Sequence, residues 1–247
     1  MMNLLFVTGC GEDTASKNSS KVLRVGTDAS YAPFGFQDEN SKDYVGYDID
    51  IIKAIAKDQN LEIDIRNLNF DGLIPALQTG DLDIAISDLT VTPDRAKSVD
   101  FSEPYYIAGL GIVVAKDDDT IHSAADLPGK KVAVTIGSTG AEAAHKIDGI
   151  EIREFSTLAD AFLELRNGGV DAVVNDIPTN EYFVKNKGSD FAKTVDAAIN
   201  KEDLAIAVKK GNTDLLNKIN KGLADIKSNG QYAEIYKKWF GKEPVNN

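Results

Sequence analysis

Thr92-Pro93-Asp94-Arg95 sets a guanidinium behind a threonine able to cap a helix and a proline suited to its first position, so Arg95 is expected in the first helical turn. A guanidinium held there can grip a carboxylate through two parallel hydrogen bonds. Gly137-Ser138-Thr139-Gly140-Ala141-Glu142 follows a strand-like run and opens a helical one, so its free N–H groups and hydroxyls also suit an anion. Two further stretches echo each other: Gly80-Asp81-Leu82-Asp83-Ile84-Ala85-Ile86-Ser87-Asp88 and Gly168-Gly169-Val170-Asp171-Ala172-Val173-Val174-Asn175-Asp176. Each reads as a helix end, a turn, a buried strand and an aspartate just past its carboxyl end, where ligands of open α/β sheets gather. Asp88 and Asp176 therefore point to a cleft shared by two units of one design.

Catalytic and metal-binding signatures are missing from the sequence. The two histidines, His122 and His145, lack HExxH spacing, and there is no Gly-x-Ser-x-Gly elbow, Walker loop or dinucleotide fingerprint. A general acid would need a protonated carboxylate, for which Asp88 is the candidate.

The elements that must carry these residues alternate between strand and helix. Val22–Thr27, Leu61–Ile65 and Asp83–Ile86 read as strands, with helices over Asp48–Gln59 and Asp71–Thr79. A second series follows: strands at Lys131–Val134, Glu151–Phe155 and Asp171–Val174, and helices over Gly140–Ile147 and Thr157–Asn167. Alternation of this kind predicts α/β lobes with parallel sheets. Gly109–Ala115 and Asp203–Val208 bracket the second series and are expected to lie side by side as its entry and return. Leu215, Leu216, Ile219, Leu223 and Ile226 recur at helical spacing, and the stripe Tyr232, Ile235, Tyr236, Trp239 and Phe240 is read as packing onto the first lobe.

The 247 residues carry a formal net charge of −12, which argues against a nucleic-acid partner. Cys10 is the one cysteine, so an internal disulfide is excluded. Leu4–Cys10 is a short apolar run ending at small residues and a thiol. It looks like the end of a bacterial lipoprotein signal, although no basic region precedes it and the run is short. Gly11–Lys21 reads as a polar tether. No later stretch is long and apolar enough to span a bilayer.

Gly46-Tyr47-Asp48-Ile49-Asp50-Ile51-Ile52-Lys53-Ala54-Ile55-Ala56 resembles the signature of the family 3 bacterial extracellular solute-binding proteins, the polar amino-acid receptors of ABC importers. The resemblance runs through Thr27–Phe34, Thr90–Arg95, Val99–Tyr106 and the carboxyl-terminal Tyr-Lys-Lys-Trp-Phe, and covers nearly everything from Val22 to Gly241. It implies a two-lobed fold of the type II periplasmic-binding-protein kind, each lobe a mainly parallel sheet flanked by helices, joined by two crossover strands. The expected division is 1–21 signal remnant and tether, 22–110 first lobe, 111–202 second lobe, and 203–247 completing the first.

The resemblance also implies roles. Arg95, with Ser138 and Thr139 from the other lobe, holds an α-carboxylate. Asp176 takes the α-ammonium with a hydroxyl or carbonyl of Thr90 beside it, Leu89 is counted in the same site, and Tyr31 and Phe70 sandwich the ligand's side chain. Asp28 stands near its far end. Asp88 departs from the family pattern, in which a small residue is common, and its carboxylate must be offset by a cation or carry a raised pKa. Arginine, lysine or ornithine would offset it. Gly35, where many relatives have a glutamate, weighs towards glutamine or another neutral amino acid.

The expectation is thus a monomeric extracytoplasmic receptor, lipid-anchored at Cys10, closing about its ligand and delivering it to ABC importer membrane subunits without cofactor or metal. Two rivals are a cyclohexadienyl or arogenate dehydratase-like enzyme on the same fold and a sensor module. An end at Asn247 with no attached effector argues against the sensor.

Overall fold

The computed structural model describes residues 21–244, so the lipidation expected at Cys10 falls outside the described residues. The first sheet is founded on β1 (Leu23–Thr27). Beyond it, the short pairs β2 (Ser30–Tyr31), β3 (Gly35–Gln37) and β4 (Tyr44–Val45) form a small antiparallel sheet that leads into α1 (Tyr47–Asp58). Asp48 and Asp50 in the first turn and Lys57 in the last match the helix dipole. Ile49, Ile52, Ile55 and Ala56 are buried as their spacing predicts. β5 (Ile63–Asn67) returns parallel to β1 with Leu23 opposite Ile63. α2 (Leu73–Thr79) follows a 3-10 turn at Phe70–Gly72 and ends on Gly80 at φ 83°, a left-handed cap that glycine adopts without strain. β6 (Ile84–Ala85) then lies parallel on the other side of β1.

β7 (Val99–Phe101) begins four residues after Arg95, which leaves room for one 3-10 turn at Arg95–Lys97 where the sequence predicts the start of a helix. Asp94, not Thr92, stands at the N-cap of that turn and makes no side-chain cap, while Thr92 Oγ1 accepts the Arg95 N–H at 3.2 Å from two residues further back.

β8 (Tyr106–Ala108) leaves the first lobe and β9 (Leu110–Ala115) enters the second. There the design repeats: β10 (Lys131–Thr135), α3 (Thr139–Ala144), β11 (Glu151–Phe155), α4 (Leu158–Arg166) and β12 (Ala172–Asp176), with β10 parallel to both β11 and β12. α5 (Ile177–Phe183) and β13 (Ala192–Thr194) complete the lobe, and β9 lies antiparallel between β12 and β13. The echo of the sequence is structural. Asp83 accepts the N–H of Arg24 at 2.9 Å, and Asp171 accepts that of Lys131 at 2.7 Å, so each aspartate, just before β6 or β12, pins the start of the neighbouring strand β1 or β10.

The return uses β14 (Glu202–Leu204), and β15 (Ala207–Lys209) enters the first sheet antiparallel between β6 and β7. Both sheets are therefore mixed: four strands run in one direction and a single antiparallel strand, β15 or β9, is inserted next to the edge, in the orders β5-β1-β6-β15-β7 and β11-β10-β12-β9-β13. The side-by-side crossover pair is β8 with β14, Glu202 opposite Ala108. The run Gly109–Ala115 expected in that place is drawn into the second sheet, where its apolar residues are buried. α6 (Thr213–Ser228) and α7 (Gln231–Phe240) close the first lobe against α1, and Tyr232, Ile235, Tyr236, Trp239 and Phe240 pack onto its core.

Candidate ligand-binding cleft

Among the described residues six charged side chains are buried: Asp28, Asp48, Asp88, Arg95, Asp176 and Glu202. Asp28 and Asp88 follow β1 and β6, Asp176 ends β12, Asp48 lies on α1 and Glu202 on the crossover strand β14, and Arg95 is the single buried cation among the described residues.

Arg95 is held from both lobes. Its Nη1 donates to the carbonyl of Thr90 at 2.8 Å, and its Nη2 donates to that of Gly137 at 3.0 Å across the cleft. The guanidinium lies 5.3 Å from the centre of the Phe70 ring. Burial pulls its pKa below the ordinary value, while Glu142, Glu202 and Asp176 oppose that pull. With two of five N–H donors engaged, the rest of the fork can take a carboxylate. Ser138 caps α3, its Oγ accepting the Ala141 N–H at 3.1 Å. The Thr139 hydroxyl donates to Glu202 at 2.8 Å.

Asp88 sits at the turn after β6 with φ 51°, a left-handed conformation uncommon for a residue with a side chain. Its N–H donates to Asp48 Oδ2 at 2.8 Å, and Asp48 Oδ1 accepts the Tyr105 hydroxyl at 2.7 Å. From the second lobe the Thr179 hydroxyl stands 3.5 Å from Asp88 Oδ2. Burial, then the charges of Asp176, Asp48 and Glu202, push Asp88 well above the usual aspartate range. Burial and Glu202 push Asp176 up to about 7, and burial alone lifts Asp48 to about 7. Asp88 Oδ1, Asp176 Oδ1, Asn175 Nδ2 and Thr135 Oγ1 are all buried with no hydrogen-bond partner among the described residues. Native interiors rarely leave such atoms unsatisfied.

Asp28 stands apart from that set. Its Oδ1 accepts the N–H and hydroxyl of Ser30 and its Oδ2 accepts the Phe70 N–H, so much of its capacity goes to shaping the loop, while burial raises its pKa. Tyr31 and Phe70 lie near-parallel, 6.5 Å apart. Tyr31 reaches into the core of the second lobe and donates to Asn175 Oδ1, with Asp176 Oδ2 at 3.5 Å. Leu89 places its side chain in the first lobe's core beneath Phe70. At Gly35 an added Cβ would stand 2.8 Å from Thr27 Oγ1, so a side chain there would require the loop to shift. Of the residues singled out from sequence, Tyr31, Phe70, Asp88, Thr90, Arg95, Thr139 and Asp176 are brought together between the lobes. Asp28 is instead engaged by its own loop, Leu89 is packed in the core with its carbonyl accepting the Ala205 N–H, and Ser138 caps α3.

Sequence reasoning missed Glu202, Asn175, Thr135 and Thr179, and read Asp48 as part of a signature without a task. Asn175 precedes Asp176 in the echo and could have been found there. Glu202 stands alone between Lys201 and Asp203, where no local pattern marks it.

Comparison with known proteins gives a consistent picture. The family model for bacterial extracellular solute-binding proteins, family 3, matches residues 23–242. The arginine-binding extracellular protein ArtP of Bacillus subtilis is 34% identical over 242 residues, covering 96% of this chain and 93% of that protein. Among solved structures, an ancestral arginine-binding protein bound to glutamine is 47% identical with a TM-score of 0.86, covering 90% of this chain and 98% of that one. An ancestral amino-acid-binding protein described as a precursor of cyclohexadienyl dehydratase is 44% identical with a TM-score of 0.83, covering 89% and 95%.

Proposed function

The chain belongs to the bacterial extracellular solute-binding proteins, family 3, and we propose that its cleft captures a cationic L-amino acid, arginine first, for delivery to an ABC importer. One observation carries the ligand class. Five carboxylates are buried against one buried guanidinium among the described residues, and Asp88 and Asp176 each keep a buried oxygen unpartnered. A ligand whose carboxylate meets Arg95 and whose two cationic groups meet Asp88 and Asp176 gives each of those two aspartates a cationic partner. A neutral amino acid leaves one aspartate to be protonated.

In this reading Arg95 binds the α-carboxylate together with the N–H groups opening α3. Asp176 takes the α-ammonium, Tyr31 and Phe70 flank the aliphatic stem, and Asp88 meets a distal cation. Capture proceeds by swinging the second lobe about β8 and β14, a population shift driven by contacts made when closed. Glutamine ranks next, supported by the ancestral relative that holds it.

The protein acts as a monomeric receptor without catalytic turnover, tethered outside the cytoplasm through a lipid on Cys10. The Leu4–Cys10 run supports the anchor, and partition of the natively expressed protein into a detergent phase tests it. The test of function is thermal stabilisation of protein stripped of ligand by refolding, against the L-amino acids, ornithine, prephenate and arogenate. Stabilisation by arginine, lysine or ornithine ahead of glutamine is expected. Glutamine alone would overturn the cationic assignment, and prephenate or arogenate alone would move an enzymatic reading to first place.

A further inference from the structure

Glu202 lies on the crossover strand β14, belongs to neither sheet, and is buried. Its Oε2 accepts two hydroxyls at once: Thr90 from the first lobe at 2.7 Å and Thr139 from the second at 2.8 Å. Its Oε1 accepts the Asn200 Nδ2 at 3.0 Å, and Asn200 Oδ1 in turn accepts the Leu110 N–H at 2.9 Å where the chain enters the second lobe. The carboxylate is therefore fixed from the hinge and aimed at two threonines on opposite walls of the cleft.

A hydroxyl has one proton to give. Here both protons are committed to Glu202, so Thr90 and Thr139 can meet a ligand through lone pairs alone. We propose that Glu202 is a specificity-setting positioning residue: by holding both hydroxyl protons it turns the two threonines into acceptors, which read the α-ammonium rather than the α-carboxylate. The inference rests on the amino-acid-binding reading above. It leaves the carboxylate to Arg95 and backbone N–H groups, and adds two neutral acceptors to Asp176 for the ammonium. A glutamine at 202 would offer an N–H to one of the threonines and free its proton, reversing the polarity of that wall.

The experiment compares wild type with Glu202→Gln, titrated calorimetrically with L-arginine and with its α-hydroxy analogue, in which a hydroxyl replaces the ammonium. Loss of acceptors facing a charged donor is expected to weaken arginine about tenfold or more, with the analogue weakened much less, so that preference for the amine narrows. Equal losses for both ligands would show a structural role and overturn the proposal, as would arginine affinity within about twofold of wild type. Should the analogue be too weak to register in wild type, Thr139→Val replaces it as the second arm. The single losses are then expected not to multiply in Glu202→Gln/Thr139→Val, and multiplicative losses overturn the proposal. Failure of wild type itself to bind arginine would instead strike the parent reading, so the two failures are distinguishable.

Discussion

The carboxylate of Asp48 accepts the backbone N–H of Asp88 at 2.8 Å, so the second residue of α1 sets the turn that delivers Asp88 to the cleft. Its other oxygen accepts the Tyr105 hydroxyl. A carboxylate accepts on both oxygens, whereas an amide offers one acceptor and one donor group. Asp48→Asn should therefore lose one of the two bonds, destabilise the protein by about 1–3 kcal/mol and loosen the Asp88 turn. Chemical denaturation with arginine titration checks this. Unchanged stability and affinity would show that the turn holds itself.

Asp88 combines a left-handed backbone with a buried carboxylate that has one unpartnered oxygen. Asp88→Gly removes both burdens and should raise the unfolding free energy of ligand-free protein by about 1–3 kcal/mol. The same change should erase preference for arginine over glutamine. Equilibrium unfolding and competition binding separate the two effects. An unchanged ligand profile would remove Asp88 from specificity.

The fold was legible wherever local pattern sufficed. Ile49, Ile52, Ile55 and Ala56 marked α1, and the repeat ending in Asp88 and Asp176 marked both cleft edges. Pairing was less legible. Gly109–Ala115 has the apolar run of a crossover strand, yet its partner is β12, because a run buried on both faces is stabilised more inside a sheet than at a hinge. The 3-10 turn at Arg95 was hidden for another reason: its length is set by where β7 must begin, which the Thr-Pro capping signal does not encode. Glu202 was illegible altogether, since its task depends on Thr90 and Thr139, 112 and 63 positions away.

Arg95 joins the lobes through Thr90 and Gly137 and faces Phe70. Arg95→Lys keeps a cation but loses the planar fork, so ligand binding should fall by about 2–5 kcal/mol while the far-ultraviolet dichroism stays that of wild type. Calorimetric titration reads the loss. Retained affinity would show that the carboxylate is held elsewhere.

Gly46 caps α1 at φ 140°, and an added Cβ would lie 2.0 Å from the carbonyl oxygen of Phe34, which accepts the Asp48 N–H. Gly46→Ala should cost at least about 2 kcal/mol of stability and disturb Asp48 with it. Gly72→Ala, with open space around its Cβ, serves as the near-neutral control. Equal melting temperatures for the two variants would contradict the steric argument.

The clustered carboxylates make ligand capture and proton binding compete. Burial raises the pKa values of Asp48 and Asp176 from 3.8 to about 7, and burial with the neighbouring carboxylates raises Asp88 well above the usual aspartate range. For an acid whose folded pKa is raised, the folded state holds a proton that the unfolded chain has already released. These groups therefore favour folding at pH near 4, and that contribution is lost as pH rises towards and past 7. A cation placed among them favours the charged forms and lowers these pKa values, so arginine binding should release protons around pH 6. Affinity should then decline as pH falls below 7, by up to about tenfold per unit for each proton released. Calorimetry at pH 6 in buffers of different ionisation enthalpy measures the release directly. Binding without proton exchange would mean that the aspartates stay protonated around the ligand, and the charge argument for a cationic amino acid would fall with that result.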